Sequence, residues 1–496
     1  MKKFTNLIAL LLCTCLCFSA CKGKEKDEES TTAPPEQTTE TDESFAITDG
    51  KITLPYNKAD GINPFFAESY ENIYLSLLLY EPLFSVDSKY VATGVVADSV
   101  DVRDRIATVR INHNVVCKGY ESITAHDVVY SFNLAKSSYS WGNNLKGISN
   151  AQAVGDYMVK FNLDFQDIYV AGKLNFPIVK QGTADSKTSV PVGSGDYYFT
   201  QNKLVNVSDS NKTISLVATG NRESVEDALN IGMVDTFFSD LADGKYKVAA
   251  GNIKEITLSN MVYLGLNSDR GAMTKYIRNA IAAKLDSENI ALSAYQGHAT
   301  GFKLPVSPES NIAKEINQVE TKGNEELANN IIDRCGFTRY SGAAKTNGAY
   351  LLSFSLIVNR DNAFRVAAAY NIADSLKECG FQINVQLLTF ADYSQRIASG
   401  NYDMYIGEIK LDGSMDISQF FKEGTNFSAG INKSEKSATE YFRYRAGEIS
   451  AKEYYEIFTE YYPFVPVAFR SGYAVLSDDI KSLDLKNMPF SFYNGI

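Results

Sequence analysis

Between Leu351 and Ile406 the apolar residues change their spacing four times. Phe354, Leu356 and Val358 alternate, so Leu351 to Val358 reads as a strand with one buried face. Phe364 to Cys379 carries helical spacing and stops at Gly380. Ile383, Val385 and Leu387 alternate again, Asp392 to Ser399 is helical up to Gly400, and Tyr402 to Ile406 is a third strand. A β-α-β-α-β order of this kind requires a parallel sheet with right-handed crossovers. Ligands of such open sheets bind just beyond the carboxyl ends of the strands. The segment beyond this sheet is Gly407 to Asp416, and it holds Glu408, Asp412 and Asp416. A carboxylate there is a natural partner for an ammonium group, through a charge-assisted hydrogen bond. The same residues also fit a solvated acidic loop.

Elsewhere the pattern is mixed α/β. Ile52 to Tyr56 reads as a strand, Glu71 to Leu79 as a helix, Met261 to Asn267 as a strand and Tyr276 to Leu285 as a helix. Thr124 followed by Asp127 three residues on marks a helix start, with Val128, Val129 and Phe132 forming its apolar stripe. Gly193-Ser194-Gly195 is a turn before a strand at Tyr197. Cys335-Gly336 and Cys379-Gly380 each read as a helix end with glycine in the left-handed position, which makes both cysteines small buried residues.

The first residues are of another kind. Lys2 and Lys3 precede an apolar run, Leu7 to Phe18, that is shorter than the roughly 20 residues a membrane span needs. Residues 1–20 therefore read as a secretory signal. Phe18-Ser19-Ala20-Cys21 resembles the bacterial lipobox, which implies cleavage before Cys21 and lipid on that residue; ordinary secretion, with Cys21 left over, is the plainer alternative. Residues 22–44 carry three lysines and eight acids with almost nothing apolar, so 21–45 reads as a disordered tether. Its coil reach is about 25–30 Å.

The remaining body of about 450 residues is too large for one core and calls for two or three lobes. Loss of the signal's two lysines takes the formal charge from −11 to −13, which argues against nucleic acid or anionic lipid as a partner. Outside the signal and Cys21 only Cys117, Cys335 and Cys379 remain, which is no disulfide framework. His113, His126 and His298 are isolated, so no zinc or iron site is expected, and His126 reads as a solvated residue in a helix's first turn. No nucleophile elbow, phosphate loop or catalytic constellation is visible, so no cofactor and no enzyme activity are expected. Most of the 30 tyrosines and 28 phenylalanines must be core or surface.

Several short motifs then fall in one order. Asn63-Pro64 precedes Leu79-Tyr80-Glu81-Pro82-Leu83, and Gly119 leads into Ile123-Thr124-Ala125-His126-Asp127-Val128. Pro191-Val192-Gly193-Ser194-Gly195-Asp196-Tyr197, Ile277-Arg278-Asn279-Ala280-Ile281, Tyr402-Asp403 and Tyr462-Pro463-Phe464-Val465-Pro466-Val467 follow. Together, from about Ile52 onward, they resemble the large extracellular solute-binding proteins of peptide and nickel ABC importers, family 5. The resemblance implies an α/β, two-lobed periplasmic-binding-protein-like fold of type II, the large peptide-binding class, with an extra subdomain on the first lobe. Lobe I would comprise 46–84, 190–265 and 466–496, the subdomain 85–189, and lobe II 266–465.

It further implies a lipoprotein that captures peptides between its lobes and delivers them to an ABC permease with its ATPase subunits. Such a protein would act as a monomer on the outer face of the cytoplasmic membrane, held through Cys21. Peptide-binding relatives hold the ammonium with an Asp ten residues after the Tyr of Tyr-Asp; from Tyr402 that is Asp412, with Asp416 and Glu408 beside it. The chain departs from the family in having Glu408-Ile409 where Gly-Trp is common, Asp416 in place of a proline, and an extra residue between Gly119 and Thr124. A metal chelate, an oligosaccharide or a cationic metabolite as cargo stays open, as does a signalling or adhesion role.

Overall fold

In the computed structural model the β-α-β-α-β segment comprises strands Ser353–Asn359, Gln382–Leu388 and Met404–Lys410 with helices Ala363–Glu378 and Phe390–Ala398. Strand 353–359 lies between the other two and is parallel to both. Its helix ends at Gly380, where φ is +84° and the Phe381 N–H reaches back to the Leu376 carbonyl at 3.2 Å. That closure satisfies a carbonyl the helix would otherwise leave bare. Gly336 ends helix Glu325–Arg334 in the same way, with Phe337 N–H on the Ile332 carbonyl at 3.3 Å. Cys379 is buried, but Cys335 is only half-buried, because its helix lies near the surface and buries just Ala328 and Ile332. Cys117, Cys335 and Cys379 are free thiols.

The structure describes residues 52–119, 121–246, 251–316 and 319–481. All belong to one unit, Ala46–Ile496. The signal, the tether and Cys21 lie outside the described residues.

Two expectations change. The strand expected to end at Ile406 continues to Lys410, because residues 404–410 pair antiparallel with strand Asn252–Leu266 up to Asn260 opposite Lys410. Glu408 is therefore a strand residue, and the loop begins at Leu411. The strand expected from Met261 starts at Asn252. Its extension pairs with the long strand Phe464–Leu476, which is buried along its whole length.

These two strands run through both halves of the molecule. Ile256, Leu258, Ala474 and Leu476 belong to the first hydrophobic core, whereas Val262, Leu264, Val465 and Val467 belong to a second. The first core also holds the sheet of strands 53–57, 213–219, 203–206 and 197–200, and a four-stranded sheet of 97–103, 106–111, 158–163 and 148–153. Helix Ala125–Ser137 packs there, and Asp127 accepts the Thr124 N–H at 2.8 Å as the helix-start pattern requires. The second half is built on a seven-stranded sheet, with one apolar cluster on each face. The result is two α/β lobes joined by crossing strands. The pairing of those strands is interrupted between Thr257 and Met261, where the Ser259 carbonyl accepts the Leu411 N–H at 3.0 Å. Among the described residues no helix is long and apolar enough to cross a membrane.

Leu356 is fully buried in the middle strand of the parallel unit. Leu356→Ala is expected to cost about 2–5 kcal/mol in urea unfolding, as large-to-small changes in tight cores do.

Candidate functional site

Where strand 404–410 ends, the chain turns sharply. Asp412 and Met415 close a turn, with the Met415 N–H on the Asp412 carbonyl at 3.0 Å and Met415 at φ +56°. Asp412 holds the turn with its own side chain: Oδ1 accepts the Ser414 N–H at 2.8 Å and the Ser414 hydroxyl at 2.7 Å. Asp416 is tied in the same manner, Oδ1 accepting the Ser418 N–H and the Tyr441 hydroxyl, both at 2.7 Å. This is the turn chemistry that aspartate favours, here performed by two buried carboxylates.

The remaining oxygens of both face one ammonium. Lys173 Nζ lies 3.1 Å from Asp412 Oδ2 and 2.6 Å from Asp416 Oδ2, and donates to the Lys146 carbonyl at 3.1 Å. Two of its donors are thus used in hydrogen bonds, to Asp416 and to the Lys146 carbonyl, and Asp412 adds an opposite charge at contact distance. Relative side-chain exposure is 3% for Lys173, 8% for Asp412 and 4% for Asp416. Lys173 ends the short turn Val170–Lys173 of the first half, and both aspartates stand in the second. The backbones meet closely there: a Cβ on Gly172 would lie 2.5 Å from the Gly413 carbonyl carbon.

A second ion pair crosses in the opposite sense. Arg445, at the end of helix Lys436–Arg445, grips Asp167 with Nε at 2.9 Å and Nη2 at 2.7 Å. It also donates to the Ser414 carbonyl at 2.7 Å and to the Ser414 hydroxyl oxygen at 2.9 Å. Ser414 therefore joins both pairs into one buried network of three carboxylates and two cations. Burial alone would push the Lys173 pKa down, but Asp412, Asp416 and Asp167 outweigh it and hold it above the usual lysine value. Burial likewise pushes Asp416 up, and Lys173 with Arg445 more than reverses this, leaving it below the usual carboxylate range.

The expected acidic residues thus divide. Asp412 and Asp416 share one ammonium and are buried rather than solvated. Glu408 is not with them: its Oε1 accepts from Asn260 Nδ2 at 2.8 Å and from Arg470 Nε at 2.9 Å. Sequence reasoning missed Lys173, Asp167 and Arg445. Lys173 did leave a trace, as the single charge in the apolar run Val170 to Phe176. His126 is solvent-exposed, as read.

Known structures share this fold. A nickel ABC transporter structure from Bacillus halodurans superposes with a TM-score of 0.70 at 16% identity, over 90% of this chain and 98% of that one. The unliganded open form of the periplasmic murein tripeptide binding protein MppA gives 0.68 at 15% identity, over 87% and 93%. The oligopeptide-binding protein AppA from Bacillus subtilis, in complex with a nonapeptide, gives 0.55 at 19% identity, over 90% and 97%. The fold is therefore that of the two-lobed periplasmic binding proteins. Residues 104–427 match the family described as bacterial extracellular solute-binding proteins, family 5 Middle, and the chain belongs to that family. No curated protein matches the chain by sequence.

The Asp416 pKa sets a pH dependence. A carboxylate with a lowered folded pKa adds stability above its unfolded value, about 3.9, and that stability is lost as pH falls toward the folded value. Urea midpoints of wild type and Asp416→Asn are expected to differ most above about pH 4 and to converge below it.

Proposed function

We propose that this protein is a receptor, not a catalyst, that captures peptides between its lobes and passes them to an ABC permease with its ATPase subunits. Family membership supports a solute-binding role. The observation that carries the peptide reading is the pair Asp412 and Asp416, two carboxylates beyond the sheet's ligand end that already close on a primary ammonium. The amino terminus of a peptide offers the same group. Asp412 anchors it and Asp416 shares the charge, while Glu408, paired with Arg470, stands apart from this seat. Extended peptides need little else, since backbone hydrogen bonds give affinity without much side-chain reading. Micromolar binding corresponds to about −8 kcal/mol. Only the difference in affinity between closed and open forms can drive closure.

In this reading residues 46–84, 190–265 and 466–496 form lobe I, 85–189 its extra subdomain and 266–465 lobe II. Cys21 carries lipid, 21–45 is the tether, and the protein works as a monomer on the outer face of the cytoplasmic membrane. Mooring suits a receptor that must return its cargo to one membrane. Labelled palmitate is expected to enter the wild type and not Cys21→Ala; label in both, or in neither, contradicts the anchor.

An anionic solute such as a metal chelate is the second reading, and one observation favours it. Arg470 Nη1 is buried without a hydrogen-bond partner. Near it Lys410 reaches solvent, while the protein packed around it lowers its pKa. Similar folds include a NikA from Brucella suis in complex with Fe(III)-EDTA. A thermal-shift panel separates the two, because a ligand at a hundred times its dissociation constant adds about 2.7 kcal/mol. A shift with a chelate and silence with peptides favours the second.

For the first reading, Asp412→Ala is expected to weaken binding of free-amine peptides about tenfold or more, equivalent to 1.4 kcal/mol. N-acetylated peptides should bind both proteins alike in calorimetric titration. Equal losses for both peptide types contradict the ammonium role.

A further inference from the structure

Nothing in the family resemblance points to Lys173, yet it holds the position a cargo ammonium would need. Its Nζ donates to Asp416 Oδ2 at 2.6 Å and to the Lys146 carbonyl at 3.1 Å, and lies 3.1 Å from Asp412 Oδ2. The acceptors leave little room for a second cation. Asp416 already receives Ser418 N–H and Tyr441 OH on Oδ1, and Lys173 and the Ser418 hydroxyl on Oδ2. That uses the roughly four acceptor sites a carboxylate offers. Lys173 reaches the aspartates from the other lobe, on a turn pressed against the Gly413 backbone.

We propose that Lys173 is an in-chain substitute for the cargo's ammonium, filling the Asp412–Asp416 seat when no cargo is bound and yielding it to a free-amine solute. The inference rests on reading that seat as the ammonium site. Three physical consequences follow. The seat never stands empty, so two buried carboxylates are never left without a cation, a state that is strongly destabilising. The empty protein can keep its lobes together, because the substitute comes from the opposite lobe. Cargo affinity is set by competition, so a solute's ammonium gains only what it makes beyond the contacts Lys173 gives up. A solute with no ammonium does not enter this exchange at all.

The test removes the ammonium and supplies it again. Lys173→Ala leaves a channel matching the lost side chain. In the full chain, n-propylammonium is expected to raise the melting temperature of Lys173→Ala by several degrees and to leave wild type unmoved. Uncharged n-propanol should stabilise neither protein. Free-amine dipeptides should bind Lys173→Ala about tenfold more tightly than wild type, while N-acetylated ones bind both equally. If Lys173→Ala does not fold alone, recovery of folded protein with n-propylammonium and not with n-propanol supports the proposal. Failure of n-propylammonium to stabilise or rescue the variant overturns it, as does an equal response of wild type and variant. Because n-propylammonium is not a peptide, its failure counts against the substitute alone. Rescue by it, with no peptide binding to either protein, counts against peptide capture alone.

Discussion

A lysine ammonium with 3% exposure is stable only where it finds hydrogen-bond acceptors and its charge is matched. Lys173 meets both conditions only while the two lobes are together, since its carboxylates belong to one and its carbonyl to the other. Arg445 and Asp167 impose the same condition in reverse, with the cation on the second lobe and the carboxylate on the first. Ser414 touches both pairs, so neither is independent of the other. Parting the lobes would hydrate all five charges together. Buried ion pairs are worth little net stability because desolvation offsets attraction. The network is therefore suited to fixing the register of two bodies without holding them irreversibly.

The crossing strands make such a register meaningful. Phe464–Leu476 is buried throughout and passes from one core to the other, and Asn252–Leu266 accompanies it. Their pairing is broken at Thr257–Met261, beside the point where Leu411 leaves its strand to begin the aspartate turn. The aspartate loop is thus anchored beside the break in the pairing of the crossing strands.

Much of this was legible in the residues. Period-two alternation at Phe354, Leu356 and Val358, and the glycines after Cys379 and Ser399, mark strands and helix ends because they are local physics. The strand from Met404 runs past its expected end because Gly407 breaks the apolar run and Glu408 and Lys410 are charged; pairing with a distant strand, not apolar alternation, keeps them extended. Asp412 and Asp416 could be singled out by their place after a parallel strand. Their partner could not, since Lys173 lies more than two hundred residues earlier and comes to them through tertiary folding alone. Burial, too, was invisible: Asp412 looks the same in a solvated loop and in a closed network.

The most direct measurement is native mass spectrometry of the protein purified gently from its own cells, with fragmentation of whatever solute remains bound. A peptide with a free amino terminus is expected. A bound chelate or another solute without an ammonium group would contradict it.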